Sequence, residues 1–259
     1  MLPTYHPLPH GVTRAAAIRY TPERWPAPQV ADIYYRPGAA PAPAVLLIHG
    51  GSWKESQGAR WTMDGIARHL ARRGYVVVNA GYRGYPDYLY PAPVDDLREA
   101  IHWMRGNAAT YGIDPNRIAT YGFSAGAHLA AQVALRDGNP EQVRAIVCGS
   151  APFDLTLYPG GDIVPAFLGG RIDKIPAKFR EASPVNHVTR RSPPIFIYQG
   201  TRDTLVQPEH ATRMQQAYAR HGLATQVHWL PGSTHAGALI APGHVVEDAI
   251  DFLDRNLKP

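Results

Sequence analysis

Cysteine is almost absent: Cys148 is the one thiol in 259 residues. An internal disulfide is therefore excluded, and a thiol-rich zinc site with it. Its setting, the apolar run AIVC at 145–148, reads as buried filler rather than a reactive thiol. No histidine pair stands one turn apart in a helical segment, so no metal and no cofactor are expected. Apolar runs long enough to cross a bilayer are also missing, so no membrane span is expected. Blocks of one charge are missing as well: 26 Lys+Arg against 21 Asp+Glu leave a net charge of +5. The positive residues are scattered, with only short pairs such as Arg72-Arg73 and Arg190-Arg191. That is a solvated surface, not a nucleic-acid face. The start MLPTYHPLPHG lacks a basic residue cluster followed by an apolar stretch, the pattern of a signal peptide. The expectation is a cytoplasmic protein, a processed exported form being the alternative. Neither an internal repeat nor a linker divides the chain, which implies one domain over 1–259, with residues 1–11 as a loose N-terminal arm.

What is present is an alternation of two periods. RAAAIRY (14–20) and QVADIYY (29–35) read as the strands of an antiparallel start. AVLLIHG (44–50), YVVVNAG (75–81), RIATYGF (117–123), RAIVCGS (144–150), PIFIYQG (194–200) and TQVHWLPG (225–232) are short apolar runs, mostly closing on glycine. Such continuous apolar character suits strands covered on both faces. Between them run helical stripes: Met63, Ile66, Ala67, Leu70; then Val94, Leu97, Ile101, Met104; and finally Val246, Ile250, Leu253, Leu257. The pattern implies an α/β protein with a mostly parallel sheet of about eight strands and helices on both faces. Residues 151–193 break the rhythm with prolines and glycines and no clear strand, which predicts a small cap over a site.

Loops at the carboxyl ends of parallel strands form a ligand crevice. HGGSW (49–53), GFSAG (122–126), TRD ending in Asp203 and STHAG with His235 all fall there. A serine hydroxyl needs a base to take its proton, and a neutral imidazole suits that role. A carboxylate then holds the imidazole in the useful tautomer. Gly122 and Gly126 allow the sharp strand-to-helix turn that lifts Ser124 above the sheet. Of the 12 histidines, only His235 falls in a loop past the last strand. Asp154 and Asp162 compete for the acid position, but Asp203 follows its strand by a short turn and leads into a helix. His128, one turn after Ser124, reads as a structural hydrogen-bonding residue.

With these pieces assembled the chain resembles the α/β-hydrolase fold. It is similar to the esterase/lipase group that includes hormone-sensitive-lipase-like enzymes, carbohydrate and feruloyl esterases of the BD-FAE type, and kynurenine formamidases. HGGSW, NAGYRGYPDYLYPAPVDDLREAIHWM, GIDPNRIATYGFSAGAHLA, EASPVNHV, PPIFIYQGTRDTLV and GSTHAG carry the likeness, from about residue 30 onward. The resemblance implies Ser124 as nucleophile, Asp203 as acid, His235 as base, and backbone NH groups of Gly51, Ser52 and Ala125 as an oxyanion hole. Two departures separate the chain from the hormone-sensitive-lipase pattern: Ser52 stands where a third glycine is usual, and Phe123 where an acidic residue is. Both place it nearer the feruloyl-esterase and formamidase side. Tyr82-Arg83 resembles a bracing segment, with Gly81 in place of its acid.

Trp53, Phe123, Phe153 and Phe167 fall on or near the crevice loops and suggest aromatic walls for a modest acyl or aryl group. The implied activity is hydrolysis of short acyl or aryl esters, a small-molecule substrate, through an acyl-enzyme. An arylformamidase with the same three residues and a non-catalytic binding protein are the alternatives. The group includes monomers and homodimers.

Overall fold

The computed structural model describes residues 7–54, 57–158, 160–240 and 244–259. Eight strands run β1 (Thr13–Arg19), β2 (Val30–Tyr35), β3 (Ala42–Ile48), β4 (Val76–Ala80), β5 (Ile113–Phe123), β6 (Ile146–Gly149), β7 (Ile195–Gly200) and β8 (Thr225–Leu230). Helices are α1 (Asp64–Arg72), α2 (Ala92–Gly106), α3 (Ala108–Tyr111), α4 (Ala125–Leu135), α5 (Ile163–Leu168), α6 (Pro176–Glu181), α7 (Glu209–Arg220), α8 (His235–Ile240) and α9 (Val245–Leu257). All eight strands join one sheet in the order β1-β2-β4-β3-β5-β6-β7-β8. β2 is antiparallel to both β1 and β4, and the remaining neighbours pair in parallel. Of the expected N-terminal arm, residues 1–6 lie outside the described residues, and 7–11 form no strand or helix.

Alternation along each strand feeds two cores. Ala44, Leu46 and Ile48 of β3 join Val94, Leu97, Ile101 and Met104 of α2 and Met214 of α7 on one face. Val45 and Leu47 join Ala67 and Leu70 of α1 and Ile250 and Leu253 of α9 on the other. Strands sandwiched in this way need apolar residues at every position, which is why their sequences show runs rather than alternation. β8 departs from that expectation: it is an edge strand, every residue is at least partly exposed, and Trp229 is 40% exposed. A terminal strand has a neighbour on one side only, so an apolar run there is not a sign of full burial. β5 begins at Ile113, four residues before its apolar run, where Ile113 pairs with Ala42.

The order β4-β3-β5 positions the site. After β3 the chain crosses on the α1 face to β4, then returns on the α2 face past β3 to β5. The loops leaving β3 and β5 therefore diverge, and a crevice opens between them at the carboxyl edge. Among its described residues, segment 151–193 carries two short α-helices, α5 and α6, and two 3₁₀ turns between β6 and β7. The loop after β4 is braced from below. Tyr82 is fully buried, stacks on the His49 ring at 4.5 Å and donates its hydroxyl to the His49 carbonyl. Arg83 forms a buried ion pair with Asp96 at 2.8 Å. Among the described residues no helix is long and apolar enough to cross a membrane.

Candidate active site

Ser124 stands between β5 and α4 with φ 55° and ψ −123°, a conformation disfavoured for any L-residue. Its NH donates to Gly149 O at 2.8 Å, and its carbonyl accepts from His128 N at 3.0 Å. The turn is tight enough to admit only glycine on either side. A Cβ on Gly122 would meet Gly126 O at 2.2 Å, and one on Gly126 would meet Ile48 O at 2.2 Å. The spacing of the two glycines is thus a packing requirement of β5, β3 and the start of α4.

The three residues expected to act together meet. Ser124 Oγ lies 2.9 Å from His235 Nε2, and His235 Nδ1 lies 2.7 Å from Asp203 Oδ2. His235 differs from expectation in one respect: it is the first residue of the short helix α8 rather than a loop residue. Phe123 packs its ring 5.1 Å from the imidazole. Asp203 is 3% exposed, and its second oxygen accepts the NH groups of Leu205 and Val206. Burial opposes its charge, but hydrogen bonds from His235 and the Val206 amide outweigh this and hold the carboxyl below its ordinary value. Asp154, the competing acid, is engaged elsewhere, by Arg213 at 2.6 Å and by Thr156. Asp162 lies on the cavity wall with its side chain fully exposed.

The turn after β3 holds three successive residues at positive φ: Gly51 at 122°, Ser52 at 56° and Trp53 at 58°. Ser52 and Ala125 line a cavity of about 150 Å³ beside Ser124. Gly50 packs directly against the serine, since a Cβ there would come within 3.3 Å of Ser124 Cβ. The remaining walls are mostly apolar: Trp53 from the turn, Pro152, Tyr158, Ile163 and Val164 from segment 151–193, and Leu205 with Val206 after Asp203. Of the aromatic walls expected from sequence, Trp53 alone lines this cavity. Phe153 is fully buried, its NH donating to Ala151 O, and Phe123 is 3% exposed between His235 and Tyr198. Phe167 is buried behind Trp53, stacked on it at 4.5 Å. An aromatic residue next to a rim motif is as free to turn into the core as into the crevice, and these turn inward. Sequence reasoning misses the aliphatic walls because neither the proline- and glycine-rich segment 151–193 nor the short turn holding Leu205 and Val206 has a period that assigns side chains to a face. Tyr158, an aromatic in the expected cap, was the available signal. Among the described residues no group of acidic, histidine or cysteine side chains could hold a metal ion.

Three buried histidines surround this edge of the sheet. His49, His128 and His210 are each at most 1% exposed, and burial pushes each down to about 4. Two are also locked neutral by geometry: His128 Nδ1 accepts from the Trp53 indole, and His210 Nδ1 accepts from Asp154 N. Because these values lie below that of an unfolded histidine, the unfolded chain takes up protons first as pH falls. Their stabilising contribution is whole above about pH 6.5 and is lost progressively toward pH 4, at about 3 kcal/mol for each. Depressed carboxylates such as Asp203 add a loss at still lower pH. The thermal midpoint should therefore fall steeply between about pH 6.5 and 4; a flat midpoint across that window would contradict neutral burial of these rings.

Comparison with known proteins shows the family and the fold. The family model BD-FAE matches residues 31–218, a span that includes Ser124 and Asp203 and stops short of His235. Esterase LipQ of Mycobacterium tuberculosis is 32% identical over 245 residues, covering 86% of this chain and 58% of that protein. Esterase LipC of the same organism is 31% identical over 234 residues, covering 82% and 58%. The chain thus spans little more than half the length of these relatives. Among solved structures, a truncated carbohydrate esterase from gut microbiota superposes with a TM-score of 0.86 at 22% identity, over 95% of this chain and 97% of that one. Thermogutta terrifontis esterase 2, in a form phosphoramylated by tabun, superposes at 0.79 with 24% identity over 99% of both chains. The sheet order, the strand-to-helix serine turn and the matched span together identify an α/β-hydrolase fold, and the chain belongs to the BD-FAE family.

Proposed function

We propose that this chain is a serine carboxylic-ester hydrolase acting on short acyl or aryl esters through an acyl-enzyme. The observation that carries the reading is the continuous hydrogen-bonded line from Ser124 Oγ through His235 to Asp203. Asp203 accepts a hydrogen bond from His235 Nδ1–H and so fixes the tautomer that leaves Nε2 free to take the proton from Ser124. The serine oxygen then bonds to the ester carbonyl carbon, and the carbonyl electrons move onto oxygen. Backbone NH groups of Gly51, Ser52 and Ala125 receive that charge, with α4 adding the positive end of its dipole. His235 returns its proton to the departing alkoxide, and water releases the acyl group by the same steps in reverse.

Substrate size follows from the cavity. Walls of Trp53, Val164 and Leu205 beside Ser124 suit a few carbons or one ring. Segment 151–193 serves as a small cap on a single α/β-hydrolase unit. Thermogutta terrifontis esterase 2, with its organophosphate adducts and a butyrate-bound form, supports the same chemistry for this chain. The test is turnover of p-nitrophenyl acetate, butyrate and a long-chain homologue, alongside N-formylkynurenine. Release from the short esters, with little from the long one, is expected. Turnover of the formamide alone would move the reading to an arylformamidase, and no turnover by pure protein would favour a binding role.

A further inference from the structure

The turn that carries the oxyanion donors is strained, and a buried histidine sits where it can hold it. Trp53 has φ 58°, a region that a bulky aromatic residue enters only when its surroundings over-determine it. Three contacts do so. Its carbonyl accepts from Tyr85 N at 3.1 Å, its ring stacks on Phe167, and its indole NH donates to His128 Nδ1 at 3.1 Å. His128 belongs to α4, whose first residue follows the proposed nucleophile. Its other nitrogen, Nε2, donates to the carbonyl of Ala182 at 2.7 Å, in the segment between β6 and β7. One imidazole therefore joins the nucleophile helix, the turn at 51–53 and the proposed cap.

Accepting at Nδ1 and donating at Nε2 are both satisfied only by the neutral ring carrying its proton on Nε2. A leucine of similar bulk would fill the space and hold neither partner. The Trp53 side of this link points at catalysis, because Ser52, its chain neighbour, lines the cavity beside Ser124 and Ala125. We propose that His128 is a positioning residue, holding Trp53 and through it the NH groups of the 51–53 turn at the spacing that an oxyanion requires. This rests on the serine-esterase reading above. Oxyanion donors act on the transition state rather than on bound substrate, so loosening them lowers kcat and leaves KM nearly in place.

A double-mutant cycle on p-nitrophenyl butyrate tests it. His128→Leu should lower kcat by about 10- to 100-fold with KM within about threefold. Trp53→Phe, which keeps an aromatic ring for the Phe167 stack but loses the NH, should lower kcat by a similar factor, while its KM also shifts because Trp53 walls the cavity. Combined, they should be no worse than the more damaging single change, since both break one link. His128→Asn, whose Oδ1 can accept near the Nδ1 position, should recover most of the rate. Losses that multiply in the double variant, a change confined to KM, or wild-type kcat in Trp53→Phe would overturn the proposal. The Trp53→Phe arm stands even if His128→Leu fails to fold. Wild-type turnover abolished by Ser124→Ala tests the parent reading separately: if that holds and the cycle is additive, only the role of His128 falls.

Discussion

Replacing Ser124 by alanine is expected to lower kcat on p-nitrophenyl butyrate by about a millionfold, with little change in the thermal midpoint. The hydroxyl oxygen is the one heavy atom removed, and in the resting structure it is hydrogen-bonded to His235 Nε2. The backbone links that hold the turn, Ser124 N to Gly149 O and His128 N to Ser124 O, do not involve the side chain. Alanine meets the same backbone strain at φ 55° that serine does, so the fold has no new cost to absorb. What vanishes is the atom that would bond to carbon. Without it, the proposed oxyanion donors and the cavity can speed only direct attack by water, which elsewhere leaves a residual of about 10³- to 10⁴-fold over the uncatalysed rate. Steady-state kinetics with an active-site titration checks the size of the loss. An organophosphate should add its mass to the wild-type chain and not to the variant. Near-normal turnover by Ser124→Ala would remove the serine from the chemistry.

The parts of this site that could be read from sequence are those set by a backbone requirement. Gly122 and Gly126 are glycines because neighbouring carbonyls occupy the space of a Cβ, at 2.2 Å in each case. Motifs of that kind survive as strings, so the serine turn, the HGGSW turn and their placement after apolar strands are visible without coordinates. The helical stripe Val94, Leu97, Ile101, Met104 is legible for a related reason, since each of the four is fully buried on one face of α2. Side-chain direction in irregular segments has no such signature. Phe153 and Phe123 stand next to the motifs and yet turn into the core, whereas Ile163 and Leu205, in no pattern at all, line the cavity while 41% and 48% exposed. Edge position is also invisible locally: TQVHWL reads like an inner strand, and only the order of pairing makes β8 the last. The same holds for His128, one turn beyond the serine, whose partners Trp53 and Ala182 are 75 and 54 residues away in sequence.

Asp203→Asn should cost about 10⁴-fold in kcat and little in stability, and the physical reason separates it from the neighbouring acid. Asp203 Oδ1 accepts from Leu205 N and Val206 N, while Oδ2 faces His235 Nδ1. An asparagine oriented to keep the two backbone bonds must present its amide NH₂ to the imidazole. Donor then meets donor, and His235 shifts its proton to Nε2 so that Nδ1 can accept. Nε2 would then carry a hydrogen toward Ser124 Oγ and could no longer take one. The fold persists because the loop after β7 keeps its own hydrogen bonds, and KM changes little because no cavity wall has moved. Asp154→Asn is the matched control. It weakens a half-exposed pair with Arg213 and leaves His235 untouched, so kcat should stay within about threefold of wild type. Measured side by side, a large loss in Asp203→Asn and a small one in Asp154→Asn assign the acid to the loop after β7. The reverse pattern would reassign it to the segment after β6, and would require His235 to change its partner during turnover.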